Sequence, residues 1–100
     1  MVKHLVFFRF KEAAECKPKI VNIAKVKDAL EELPGKINFI KDYEVGFNVN
    51  ESERAWDMSL ISSFDDTEQL REYSVHPEHV KVVNFIKQVV HESAVVDYEL

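Results

Sequence analysis

One hundred residues, 46% of them apolar and 11% aromatic, supply a core for one small domain, residues 1–100, and leave no room for a second. A formal charge of −5, with no run of Lys or Arg set apart from the acidic residues, excludes a nucleic-acid footprint and disfavours an anionic membrane surface. No apolar run nears the ~18 residues of a spanning helix, the chain opens in strand-like alternation rather than as a signal peptide, and Cys16 stands without disulfide or metal-ligand spacing, so a cytoplasmic protein with a free thiol is expected.

Residues 2 to 10 place Val2, His4, Val6, Phe8 and Phe10 on one face and Lys3, Leu5, Phe7 and Arg9 on the other, the period-two pattern of a strand. Leu5 and Phe7 make the second face apolar as well, so something must cover it, and a second copy of the chain is the expected cover. His4, alone among apolar neighbours, reads as a hydrogen-bonded core residue or as a pocket floor. From Pro18 to Leu33, Ile20, Ile23, Ala24, Ala29, Leu30 and Leu33 recur at helical spacing, and Pro34-Gly35 closes the helix. Ile37 to Asn50 follows as a second strand, with Tyr43, Val45, Phe47 and Val49 against Glu44, Gly46 and Asn48. Gly46 there marks a bulge or a close backbone approach. In the third strand Trp56, Met58, Leu60, Ser62 and Phe64 oppose Ala55, Asp57, Ser59, Ile61 and Ser63.

Asp65 or Asp66 caps the next helix, which carries Leu70 and Tyr73, and Gln69 stands where a capping-box partner of Asp66 belongs. Pro77 lacks an N–H and has a fixed φ, so it starts a new helix and keeps His76 out of helical geometry. His76 becomes the N-cap and His79 falls in the first turn, where the positive end of the macrodipole disfavours an imidazolium. A neutral His79 can accept a proton, as a general base must. The same residues also read as a helix junction that two histidines cap and pack. A metal held by His76 and His79 is disfavoured, because Pro77 turns the rings apart and no cysteine lies near. Val80, Val83, Ile86, Val89 and Val90 stripe the last helix, and Ala94 to Leu100 alternate as a fourth strand, with Ala94, Val96 and Tyr98 against Val95, Asp97 and Glu99.

Strand, helix, strand, strand, helix, strand is the split βαβ order: an α+β, ferredoxin-like protomer whose four-stranded antiparallel sheet carries its helices on one face. The bare face, with Leu5, Phe7 and Val96, is expected to pack against its own copy in a homodimer. Between sheet and helices, a pocket is expected to be lined by His4, Val6, Phe8, Leu60, Phe64, Tyr73, Val95 and Asp97, mostly apolar and suited to a small apolar carbonyl compound. The same residues equally describe a closed core.

The opening Val2-Lys3-His4, then Glu44-Val45-Gly46, Phe64-Asp65, the run from Tyr73 to His79, and Val96-Asp97-Tyr98 stand in an order and spacing that resemble the stress-responsive A/B barrel (Dabb) family from end to end. The resemblance implies a dimeric α+β barrel made of two such protomers. It also implies a chemistry, that of the family's plant polyketide cyclases such as olivetolic acid cyclase. In those, the second histidine of His-Pro-x-His acts as base and a nearby tyrosine assists. Carried over, His79 is the base, Tyr73 the assisting hydroxyl, His4 the pocket histidine of the first strand, and Asp97 the last-strand aspartate. Asp97 is expected to hold the His79 ring in one tautomer. Ile20, Ile23 and Lys27 replace the bulky aromatic cluster of the cyclases, so a long-alkyl substrate is not carried over. A cofactor-free monooxygenase, known elsewhere in the superfamily, is demanded by no residue here.

Two functions therefore stand side by side. One is a homodimeric small-molecule-binding domain that catalyses proton transfer or an aldol-type cyclisation through His79, with neither cofactor nor metal. The other is a non-catalytic, stress-associated structural protein whose histidines serve packing. Open space beside His79 and Tyr73 favours the first, and filled space the second.

Overall fold

The computed structural model describes residues 1–100, in the order β1 (Val2–Phe10), β2 (Ala13–Ala14), β3 (Lys17–Pro18), α1 (Lys19–Glu31), α2 (Leu33–Lys36), β4 (Asp42–Phe47), β5 (Met58–Phe64), α3 (Thr67–Val75), α4 (Pro77–Val89) and β6 (Val90–Glu99). The main sheet runs β4-β5-β1-β6 with every neighbouring pair antiparallel. β1 is central, as expected of the strand with apolar residues on both faces. Its Val2, Phe8 and Phe10 are buried towards the helices, where Phe8 and Phe10 join Val45, Met58, Leu60 and Phe64 from the sheet with Val26, Leu30, Leu33, Ile37, Tyr73 and Val89 in one core. This is the ferredoxin-like α+β fold. No helix is long and apolar enough to cross a membrane.

Helix boundaries follow local chemistry. α3 begins where the Asp66 carboxylate accepts the Gln69 N–H at 2.8 Å, and Gln69 Oε1 accepts in return from the N–H of Asp65 rather than of Asp66, at 3.1 Å. α4 begins at Pro77, with His76 extended before it and its Nδ1 accepting the Glu78 N–H at 3.1 Å. α1 stops at Glu31, but Pro34 and Gly35 do not form its terminator; they lie inside the single turn of α2. Proline is tolerated there because the first turn of a helix has no partner for its N–H anyway.

Three further expectations are corrected. Gly46 sits in an unbroken ladder opposite Ser59, and a Cβ at that position would meet Ser59 Oγ at 3.6 Å, an ordinary contact. The bulge falls instead between Arg9 and Phe10, where β1 pairs with β6. β6 starts at Val90, directly after α4, rather than at Ala94. The short hairpin β2–β3 was not expected at all, since its turn is Glu15-Cys16, at φ 52° and 60°, where glycine or asparagine is usual. The buried Asn22 holds this hairpin from below, donating Nδ2–H to the carbonyls of Ala14 (3.0 Å) and Lys17 (3.4 Å).

The face of the sheet opposite the helices carries Leu5, Ile61 and Val96 in one row and Phe7 and Ala94 in the next. Val96 and Tyr98 are exposed on it.

Candidate active site

Strand register builds the site. Residues directly opposite one another on antiparallel strands point to the same face, and the pairings align Tyr43, Ser62, His4 and Asp97 in a single row across β4, β5, β1 and β6 beneath the helices. The rows on either side are apolar where the core lies, with Val2 and Phe64 on one and Val45, Leu60, Val6 and Val95 on the other. Polar groups placed in such a face are costly unless hydrogen-bonded. Each of these has a partner: His4 Nδ1 meets Asp97 Oδ1 at 2.5 Å, the Ser62 hydroxyl donates to the His4 carbonyl at 3.5 Å, and the hydroxyls of Tyr43 and Tyr73 lie 2.8 Å apart.

α3 brings Tyr73 onto this row at its small member. The ring approaches Tyr43 (6.4 Å between centroids) and His4 (6.2 Å, edge to face) on either side of Ser62, and Phe64 at 5.0 Å. The break at Pro77 then lets the first turn of α4 lay the His79 ring against Tyr73, 4.2 Å between centroids. His79 Nδ1 lies 3.1 Å from the Ser74 carbonyl oxygen. A carbonyl only accepts, so Nδ1 carries the hydrogen and a neutral His79 presents Nε2 as a bare lone pair.

Electrostatics keep that ring neutral. Burial lowers the His79 pKa below 6.5, with the charges of His4 and His76 acting the same way and the bond to Ser74 opposing them. Burial also pushes the Tyr73 hydroxyl up to about 12, against a smaller opposing effect of its bond to Tyr43. Tyr43 is raised further still, by burial first and then by its proximity and bond to Tyr73. Both phenols therefore remain protonated at neutral pH. Two hydroxyls sharing one bond leave one hydrogen over.

The expected partnership of Asp97 with His79 is not formed. Asp97 faces His4 directly across the β1–β6 ladder, with the short Cβ separation of paired positions, and the His79 nitrogen that would have met it is taken by Ser74. The eight residues expected to line one pocket also divide. Phe8, Leu60, Phe64 and Tyr73 are between 0% and 5% exposed and form close-packed core, whereas Val95 is 58% exposed on the uncovered flank of β6. His4 and Asp97 bridge the two regions, with side chains 15% and 43% exposed. A cavity of about 120 Å³ between Val2, Thr67, Asp97, Tyr98 and Glu99 reaches Asp97. A larger one, of about 350 Å³, lies away from the row, at Phe7, Gly46, Phe47, Arg54 and Trp56. Filled space surrounds Tyr73, and the open approach to the row is from β6.

Tyr43, Ser62 and the Ser74 carbonyl are members of the site that sequence reasoning missed. Tyr43 and Ser62 were read only as inward positions of their strands. The available signal was that three strands each set one polar residue among apolar inward neighbours, and it acquires meaning only once the strands are in register.

Fold and site together define a ferredoxin-like α+β protein in which two helix-borne rings, Tyr73 and His79, lie over a sheet row that carries Tyr43 and His4. The chain belongs to the Stress Responsive A/B Barrel Domain family, which it matches over residues 2–100. It is similar to the uncharacterized protein SCO4036 of Streptomyces coelicolor, 30% identical over 80 residues, which span 79% of each chain. Among solved structures it resembles a dimeric protein of unknown function and ferredoxin-like fold from Bacteroides fragilis, 37% identical with a TM-score of 0.88, over 99% of this chain and 95% of that one. The hydroxynitrile lyase of Passiflora edulis shares the fold, with a TM-score of 0.82 at 16% identity, over 99% of this chain and 92% of the lyase.

Proposed function

We propose that the chain forms a homodimeric small-molecule-binding protein in which His79 removes a proton adjacent to a carbonyl group, without a cofactor. The observation that carries this reading is the His79 ring itself, held neutral and with its Nδ1–H tied to the Ser74 carbonyl, so that Nε2 is left as the basic atom. Tyr73 lies against that ring with its hydroxyl paired to that of Tyr43, and this packing holds the imidazole in place. The apolar outer row of Leu5, Ile61 and Val96, together with the dimeric state of the Bacteroides relative, supports association through the bare sheet face.

Tight packing around Tyr73 and Phe64 restricts the substrate to small ketones or aldehydes that approach from the β6 side. It also supports the competing reading, a structural protein whose histidines only cap and pack. Hydrogen–deuterium exchange of a panel of small ketones in deuterium oxide separates the two. Wild-type protein is expected to exchange α-protons roughly 100-fold or more faster than His79→Ala, the usual scale of a lost general base. Equal rates would leave the structural role.

A further inference from the structure

The cavity of about 350 Å³ lies apart from His79 and is lined in a different way. Its floor is an outward row of the sheet, where Phe7, Ser59 and Gly46 stand side by side on β1, β5 and β4. Glycine at position 46 keeps that floor open, since a Cβ there would stand 3.6 Å from Ser59 Oγ. Phe47, Trp56 and the exposed Arg54 form the rest of the lining that concerns a ligand.

The aromatic walls are fixed before any ligand arrives. The Arg9 guanidinium stacks 4.2 Å from the centroid of the Trp56 ring and is itself held by Glu92 at 2.7 Å. Lys27 lies 5.4 Å from the Phe47 centroid and pairs with Glu31 at 3.0 Å. The loop that carries Arg54 and Trp56 is closed at its base, where the Asn48 N–H donates to the Asp57 carbonyl at 3.0 Å. Within it, the Asn50 Oδ1 accepts the Ser52 N–H at 2.9 Å and the Ser52 hydroxyl oxygen accepts the Arg54 N–H at 3.1 Å. Of the three cations around these rings, Arg54 alone pairs with no carboxylate of the chain. A guanidinium is a planar fork of donors that matches a carboxylate, and this one stands unmatched beside an aromatic slot.

We propose that this cavity binds a small aromatic carboxylate, with the ring among Phe7, Phe47 and Trp56 and the carboxylate on the Arg54 guanidinium. Size points to a single ring, because about 350 Å³ falls at the lower end of the roughly 300–1,000 Å³ of small-molecule pockets. Charge points to an anion, since a neutral ring would leave Arg54 without a partner. The row of Leu5, Ile61 and Val96 lies next to the floor, so a second copy seated on that row would border the site. The assignment is of binding alone and stands whether or not His79 is a base.

Trp56 is the only tryptophan of the chain, so its indole N–H gives a single signal in proton–nitrogen NMR spectra and reports on the cavity wall. Titrating the intact protein with benzoate is expected to shift that signal saturably, with a Kd of roughly millimolar for so small a ligand. Benzamide, of the same shape without the charge, is expected to bind about tenfold more weakly. Arg54→Gln should weaken benzoate by about tenfold and leave benzamide unchanged. Gly46→Val introduces a residue that strands accept, fills the floor and should abolish the response to both. Acetate, with the charge but no ring, should leave the signal where it is. No response to benzoate, an equal response to acetate, or unaltered benzoate binding in either variant overturns the proposal. An indole signal that moves on dilution of the protein and not with benzoate assigns the cavity to a second copy, and overturns it as well.

Discussion

Replacing Tyr43 by phenylalanine keeps the ring and deletes one member of a hydroxyl pair 2.8 Å apart within the fold. A neutral hydrogen bond contributes about 0.5–1.5 kcal/mol net, while a buried polar group left without its partner costs about 1–3 kcal/mol. Tyr73 is 1% exposed, so its abandoned hydroxyl cannot turn to water, and Tyr43→Phe is expected to lose about 1–3 kcal/mol. Tyr73→Phe strands Tyr43 instead, which is only half-buried, and should cost less. The double substitution strands neither, so its loss should fall short of the sum of the two singles by about 1 kcal/mol. In a chain of this length 1 kcal/mol corresponds to a shift of about 4–8 °C in Tm. Urea unfolding followed by Trp56 fluorescence reads these values, with all four proteins at one protomer concentration because association adds to stability. Losses that add to within about 0.5 kcal/mol would refute the pairing.

Acid should weaken the fold through His79. Its folded pKa lies below the unfolded 6.5, so its contribution is complete above pH 6.5 and is lost as pH falls from there through the lower folded value. The stability difference between wild type and His79→Gln is therefore expected to be flat above that pH and to move against wild type below it; a shift the other way would contradict the burial argument. Leu5→Asp together with Val96→Asp places four like charges at the centre of a symmetric sheet-to-sheet contact, and sedimentation at micromolar concentration should then show a monomer where wild type is a dimer. An unaltered dimer would move the interface elsewhere. Cys16→Gly relieves a left-handed residue at φ 60° in the β2–β3 turn and is expected to raise stability by up to about 1 kcal/mol in thermal melts, whereas a loss would mean that the turn relaxes on its own.

Local chemistry was legible wherever a residue dictates its own backbone. Pro77 starts α4 and His76 caps it, Asp66 caps α3, and the alternation of β1 and β5 sorts inward from outward residues as expected. The bounds that slipped are those set by distant packing. β6 begins early because α4 runs straight into it, and the Glu15-Cys16 turn uses residues that carry no hairpin signal of their own. In the site, the meeting of Tyr73 with His79 was foreseeable from their places on either side of the Pro77 break. The partner of Asp97 was not, because one residue of register decides which side chain it faces, and the ladder gives it His4. Tyr43 escaped notice for the same reason: a tyrosine in a strand pattern is indistinguishable from core until the neighbouring strands are aligned.

The chemistry proposed for this protein depends on which nitrogen of His79 is bare. Long-range proton–nitrogen correlation spectra of ring-labelled protein at neutral pH measure this directly. A His79 ring protonated at Nδ1 alone, with Nε2 resonating as an unprotonated nitrogen, is the predicted result. Protonation at Nε2, whether as the other tautomer or as the imidazolium, would contradict the account, since the lone pair assigned to the substrate's proton would already be occupied.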